Sequence, residues 1–268
     1  MSGRFLRRAG AGEAVLKLTT KAVLERNLIA EGDRVLIAVS GGKDSTTLAW
    51  ALAAIRPAVK KRYDLAAIHI SSDFCACCKK AALITRLTDW GIPFQDLFVP
   101  IIGRLKNGEK MNCYWCSTQR RTELLKYAME NHFNKIALGH HLDDIIETFF
   151  MNMTAKGELA AMPMRLVYRK YPVSLIRPLG YVEEQQIIAC AGEKGFLSAA
   201  CTCPYGIHSK RRELRKRIAE FTGNSGAVKR RILRALSSGE RDLLMEGDTP
   251  VVDWKAAMPR ETVELPVK

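Results

Sequence analysis

Five apolar residues, Val35-Leu36-Ile37-Ala38-Val39, run directly into Ser40-Gly41-Gly42-Lys43-Asp44-Ser45, and helical spacing follows at once over Thr46 to Ile55. Few folds accept that order. A wholly apolar, β-branched run reads as a strand buried on both faces, as in a parallel sheet. The paired glycines allow a tight turn and a close approach of backbone N–H groups to a ligand, while the helix start behind them presents its positive dipole end to an anion. Lys43 adds a point charge, and the Ser40 and Ser45 hydroxyls can donate to the same oxygens. The string therefore predicts a phosphate held at the end of a strand. It is not a Walker A loop, because the four-residue spacer between the first glycine and Gly-Lys is missing.

Similar apolar runs recur at Leu65 to Ile70, Phe94 to Val99 and Lys135 to Leu138, separated by segments of helical spacing at Lys79 to Trp90, Thr122 to Asn131 and Asp144 to Met153. This alternation predicts an α/β fold, a doubly wound and mainly parallel sheet whose ligands sit beyond the carboxyl ends of the strands. Glu13 to Ala30 reads as an amphipathic helix ahead of the sheet. Two short strand-like pieces, Arg165 to Tyr168 and Val173 to Ile176, come after it, followed by further helices. The expected organisation is a helical segment over 1–30, the sheet domain with the cysteine sites over 31–207, a basic helical extension over 208–236 and an irregular tail over 237–268.

A second polar string, Gly139-His140-His141-Leu142-Asp143-Asp144, follows the Lys135 to Leu138 strand and so falls on the same edge of the sheet. An acidic pair there suits Mg²⁺ beside a triphosphate, although Asp144 could equally cap a helix. Eight cysteines bunch as Cys75/Cys77/Cys78, Cys113/Cys116 and Cys201/Cys203, with Cys190 alone in an apolar helical stretch that suggests packing. Clustered thiols in a chain of 268 residues read as metal or sulfur chemistry rather than a disulfide scaffold. A closed zinc site would need Cys113, Cys116 and Cys203 completed by Cys201 or His208. Three thiolates on an iron–sulfur cubane would instead leave one iron open, able to hold sulfide. The Cys75/Cys77/Cys78 group suits either small half-buried thiols or persulfide and metal chemistry.

The net charge of +14 favours a polyanionic partner. Lys210, Arg211, Arg212, Arg215, Lys216 and Arg217 form one dense basic run, with Lys229, Arg230, Arg231 and Arg234 close behind. Either run is a solvated helix face or a grip on nucleic acid, with tRNA the leading candidate. No apolar run approaches the roughly 20 residues that a membrane span requires, so no membrane partner is expected and a cytoplasmic location is.

The phosphate loop resembles the Ser-Gly-Gly-x-Asp-Ser signature of PP-loop ATP-pyrophosphatases. Taken in order, that loop, Cys113/Cys116 with Arg120 and Arg121, Ile136 to Asp144, Asn152-Met153, Met162-Pro163 and Ile176-Arg177-Pro178-Leu179 resemble the tRNA 2-thiocytidine synthetase family over roughly residues 14 to 220. The resemblance implies ATP-dependent thiolation of cytidine 32 in the tRNA anticodon loop, with ATP, Mg²⁺, a 4Fe-4S cluster and a sulfur donor such as a cysteine desulfurase. It implies ATP binding by Ser40, Gly41, Gly42, Lys43, Asp44, Ser45, His69 and Gly139, and catalytic roles for Asp44, Arg120 and Asp144. Cluster ligation falls to Cys113, Cys116 and one of Cys201/Cys203. Cys203 is preferred, since Cys-Pro-Tyr resembles the third ligand of a sister family that thiolates a T-loop uridine. RNA contact would come from Lys210, Arg211, Arg212 and Arg215. Homologues of the fold often pair, which leaves a homodimer open. The competing readings are thiolation of a T-loop uridine, a PP-loop amidoligase or lysidine-type synthetase, a reductase of activated sulfate, and a zinc-stabilised RNA-binding module without catalysis.

Overall fold

The computed structural model describes residues 10–74, 80–106, 108–168, 171–196 and 210–237. Cys75, Cys77, Cys78, Cys201, Cys203 and His208, the tail beyond 237, and the side chains of Lys210, Arg211 and Arg212 lie outside the described residues. The chain divides into a compact unit over 1–236 and a second over 237–268.

Six strands make one sheet: β1 (Arg34–Ala38), β2 (Asp64–Ser72), β3 (Phe94–Val99), β4 (Lys135–Ala137), β5 (Arg165–Val167) and β6 (Ser174–Ile176), in the order β3-β2-β1-β4-β6-β5. All pairings are parallel except the antiparallel pair formed by β5 and β6 at one edge. The run Val35 to Val39 is apolar throughout because both faces of β1 are covered. Val35 and Ile37 belong to one core and Leu36 to the other, as a period of two requires. On the first face pack α1 (Ala11–Glu25), α2 (Lys43–Ala54), α4 (Lys80–Asp89), α6 (Leu142–Lys156) and α7 (Glu184–Glu193), through Val15, Val23, Leu48, Leu52, Leu87, Ile145 and Ile187. The opposite face is covered by α5 (Cys113–Glu130), through Leu125 and Ala128. The one-turn α3 (Arg56–Val59) ends at Lys60, whose φ of +53° is left-handed. Further on come α8 (Lys210–Thr222) and α9 (Gly226–Ser237), which reach the first core with buried Ile218 and Leu233 and pack half-buried Leu214 and Ile232 against it.

Two helices start earlier than their apolar spacing predicts. α2 takes Lys43, Asp44 and Ser45 into its first turn, with Gly42 in the extended N-cap position. α5 begins at Cys113 instead of near Thr122, because the Asn112 side chain accepts a hydrogen bond from the Trp115 N–H and caps it. The cysteine pair is thus part of a helix, not a loop ahead of one. Cys190 is fully buried in α7, and burial pushes its thiol up to about 11, as suits a packing residue.

From β1 the chain moves outward through β2 and β3, then crosses back to place β4 on the other flank of β1. That reversal opens a crevice at the carboxyl ends of β1 and β4, where ligands of open α/β sheets bind. Both polar strings of the sequence lead out of those two strands.

Candidate active site

The phosphate loop is held open by its own hydroxyls. The Ser45 Oγ accepts from the Ser40 N–H at 3.1 Å, lies 3.2 Å from the Ser40 Oγ and donates to the Gly42 carbonyl at 3.1 Å, while the Gly42 N–H reaches the Ser40 Oγ at 3.4 Å. Gly41 takes φ +80°, the left-handed region that favours glycine, and no heavy atom lies within 4 Å of where its Cβ would stand. The space beside the Gly41 Cα is therefore clear. Beneath the loop, the buried His69 on β2 donates from Nδ1 to the Val39 carbonyl at 2.8 Å. The structure thus sets His69 under the loop, as a support for its backbone. Lys43 turns sideways, with Nζ 2.9 Å from Asp44 Oδ1 and 3.1 Å from Glu184 Oε1. Burial disfavours the charge on this ammonium, but the two carboxylates outweigh it and raise its pKa.

Gly139, the residue that leads from β4 toward α6, presses on this loop. A Cβ there would come within 3.1 Å of the Ser45 nitrogen and 3.2 Å of the Asp44 carbonyl carbon. A side chain there would need the first turn of α2 to give by a few tenths of an ångström before the β4–α6 connection could lie against it. The following His141 is 3% exposed and caps α6, its N–H donating to Asp144 Oδ2 at 3.1 Å. Its ring stands 3.6 Å from Asp143 Oδ2 and 3.4 Å from Asp144 Oδ2. Burial works against its protonation, and the carboxylates of Asp143, Asp144 and Asp44 overcome that and raise its pKa.

Asp143 ties α6 to the starts of α7 and α9. It accepts from the Glu184 N–H at 2.7 Å and from Lys229 Nζ at 2.6 Å. Burial opposes its ionisation, but His141, Lys229 and that N–H outweigh it and hold its carboxyl far below the usual carboxylate range. A depressed folded-state pKa means a stabilisation that is present above the ordinary aspartate value of about 4 and is lost as pH falls through the folded value. Melting temperature measured from pH 5 to pH 2.5 should therefore fall more steeply for the native protein than for Asp143→Asn, the two curves drawing closer without yet meeting at pH 2.5.

Cys113 and Cys116 sit three residues apart in the first turn of α5, on one helix face, Cys113 exposed and Cys116 half-buried against the cluster of Ile70, Val99 and Ile101. α5 follows β3, so the pair rises from the same carboxyl edge as the phosphate loop. Half-buried Arg120, one turn further along, buries an Nε that has no hydrogen-bond partner among the described residues. Arg177, just after β6, is 6% exposed. It donates to the Pro163 carbonyl and, at 3.4 Å, to His140 Nδ1. Burial and nearby Arg121 push its guanidinium down to about 10, so it stays cationic at neutral pH.

Residues 15–222 match a family described as the PP-loop domain. The chain is 36% identical over 223 residues to a tRNA-cytidine(32) 2-sulfurtransferase of Geobacter metallireducens, covering 81% of this chain and 86% of that protein. The protein of the same name from Geobacter sulfurreducens is 35% identical, with 84% and 90% covered. The chain belongs to this PP-loop family. A solved U34-tRNA thiolase from Methanococcus maripaludis, determined with its 4Fe-4S cluster, matches with a TM-score of 0.69 at 23% identity, covering 84% of this chain and 78% of that one. That likeness carries the fold.

The basic helices of this PP-loop protein bind the sheet domain before anything else. Arg215 forks onto the fully buried Glu147 of α6, with Nη2 to Oε2 at 3.3 Å, and its Nη1 lies 3.5 Å from Glu184 Oε2. Lys229 is 5% exposed on Asp143, and Arg230 reaches Glu183 Oε1 at 2.6 Å. The structure therefore places Arg215 in an intramolecular ion pair, with part of its side chain still exposed. Arg217 pairs with Glu213 on the solvent face. Sequence reasoning passed over Glu147, Glu183 and Glu184. The last two were findable, since Glu183-Glu184 follows β6 at the same ligand-facing edge. Glu147 carried no signal, because an acid in a helix pattern reads as solvated until its burial is known. Among the described residues no helix is long and apolar enough to cross a membrane.

Proposed function

We propose that this protein is an ATP-dependent tRNA thiolase that converts cytidine 32 to 2-thiocytidine. What carries the reading is the phosphate loop at the β1–β4 crevice, with open space beside Gly41 and Gly139 packed against the first turn of α2, in a chain whose curated relatives bear that activity in their names. The N–H groups of Gly41, Gly42 and Lys43, with Ser40 and Ser45, hold the β and γ phosphates of ATP. Asp44 and Asp144, whose carboxylates both act on the His141 ring, suit Mg²⁺, which wants one or two carboxylates besides phosphate oxygens. The cytidine O2 attacks the α-phosphorus, the O2–P bond forms, the α–β bridge breaks and pyrophosphate leaves. Sulfur addition at C2 then breaks the C2–O2 bond and expels AMP. Arg120, with its buried Nε, lies on the cysteine side of the crevice and can take the charge that develops at the adenylate.

Cys113 and Cys116 fit a 4Fe-4S cluster, being two soft donors spaced to face one centre, one of them open to approach. Cys203 supplies the third ligand. Held by these three thiolates, such a cluster would supply a Lewis-acid iron for sulfide. Lys210, Arg211 and Arg212 meet the tRNA backbone, in a 208–236 extension of the 31–207 catalytic domain. A cysteine desulfurase suits the sulfur donor, and the cytoplasm the location.

The test is nucleoside analysis of tRNA incubated anaerobically with the iron-loaded protein, Mg²⁺, ATP and a sulfide source. 2-Thiocytidine formed only with ATP supports the reading. A thiouridine would move the target to a uridine, and no thionucleoside at all would overturn thiolation.

A further inference from the structure

Glu184 stands where three otherwise separate parts of the molecule meet. It is the first residue of α7, and its backbone N–H is tied to Asp143 of the second polar string. One carboxylate oxygen holds Lys43 of the phosphate loop at 3.1 Å, and the other lies 3.5 Å from Arg215 of the basic helix α8. The two cations therefore share one anion, each with a second carboxylate beside it, Asp44 for Lys43 and Glu147 for Arg215, so a change at either cation alters the other's hold on Glu184. Glu184 and Arg215 also line a cavity of about 360 Å³ between α6, α7, α8 and α9, which leaves their side chains room to shift.

We propose that Glu184 is a positioning residue that competes with the nucleotide for Lys43 and thereby couples phosphate occupancy to the seating of α8. The inference rests on the nucleotide reading of the loop. A phosphate over the first turn of α2 draws Lys43 away, since a polyphosphate is the stronger anion. Glu184 is then left to Arg215 alone, and α8 is held more firmly on α6 just as the RNA must be gripped. The cost is weaker nucleotide binding in the resting protein, because Glu184 both occupies Lys43 and repels phosphate.

Titration calorimetry of the full-length protein with Mg²⁺ and α,β-methylene-ATP tests this. Glu184→Gln should bind about five-fold tighter than the native protein at low salt, with the difference shrinking as salt screens a partly exposed pair. In a Lys43→Gln background the same change should have much less effect, which a merely structural role for Glu184 would not produce. Hydrogen exchange adds a second readout. The nucleotide should slow exchange of the α8 amides over 213–222 in the native protein and not in Glu184→Gln. If Glu184→Gln fails to fold, Glu184→Asp draws the carboxylate back by one methylene and should bind about two-fold tighter. Equal or weaker binding by the folded variants overturns the proposal. Native protein that binds no nucleotide overturns instead the nucleotide reading on which it rests.

Discussion

Gly139→Val should reduce nucleotide-dependent activity by at least about a hundredfold while leaving the protein folded. The strand–loop connection at Gly139 lies so close to α2 that even a methyl group would sit 3.1 to 3.2 Å from the backbone at Asp44 and Ser45. Those neighbours are main-chain atoms, so no side chain can swing aside to relieve the contact. The first turn of α2 must move, and with it the N–H groups that point into the crevice. A displacement of about 1 Å at a positioning element can cost about a hundredfold in rate. Gly139→Ala needs only a few tenths of an ångström and should cost about tenfold. The fold should survive because the contact is at the rim of the crevice, away from the buried core of Val35, Ile37 and Leu48. tRNA-dependent ATP–pyrophosphate exchange, read beside the melting temperature, checks the series. Full exchange by a folded Gly139→Val protein would mean that the phosphates do not lie on this turn.

The sheet was legible in the sequence because buried parallel strands advertise themselves. The runs at Val35, Leu65, Phe94 and Lys135 each became a strand with ends within about two residues of the apolar run, a shift of the size that assignment alone produces. The helix starts were less legible. Apolar spacing marks where a helix meets the core, whereas α2 and α5 begin on polar turns whose contacts are with ligands or caps. Residues 43–45 and 113–116 therefore read as lying ahead of their helices, whereas Gly42 and Asn112 hold the N-cap positions. Among the site residues, Ser40 to Ser45 and the Gly139 string were visible because they follow strands. The ion pairs that hold α8 and α9 were not. A run of arginines and lysines looks the same whether its partners are phosphates or buried carboxylates. Only three-dimensional proximity assigns Arg215 to Glu147 and Lys229 to Asp143. Neither function excludes the other, since a helix must be anchored before its outer face can grip RNA.

Cys113→Ala and Cys116→Ala should each lose most of the iron bound on anaerobic purification and, with it, essentially all thiolation, while nucleotide binding persists. The separation follows from the architecture. The cysteines open α5 on one face of the sheet, and the phosphate loop opens α2 on the other, so the two sites share an edge but no supporting helix. Removing a thiol takes away one soft donor without touching the Gly42 cap or the Ser40–Ser45 contacts. The two substitutions should differ in their effect on stability. Exposed Cys113 contributes little packing, whereas Cys116 touches the cluster of Ile70, Val99 and Ile101, so its truncation should lower the melting temperature of the iron-free protein by a few degrees more. Iron and sulfide assays alongside calorimetric titration with nucleotide distinguish the possibilities. Simultaneous loss of iron and nucleotide binding would mean that the cysteine turn supports the phosphate loop. Retention of iron in both variants would place the cluster on other cysteines, and stoichiometric zinc in place of iron would make the site structural and require sulfur to arrive by a persulfide instead.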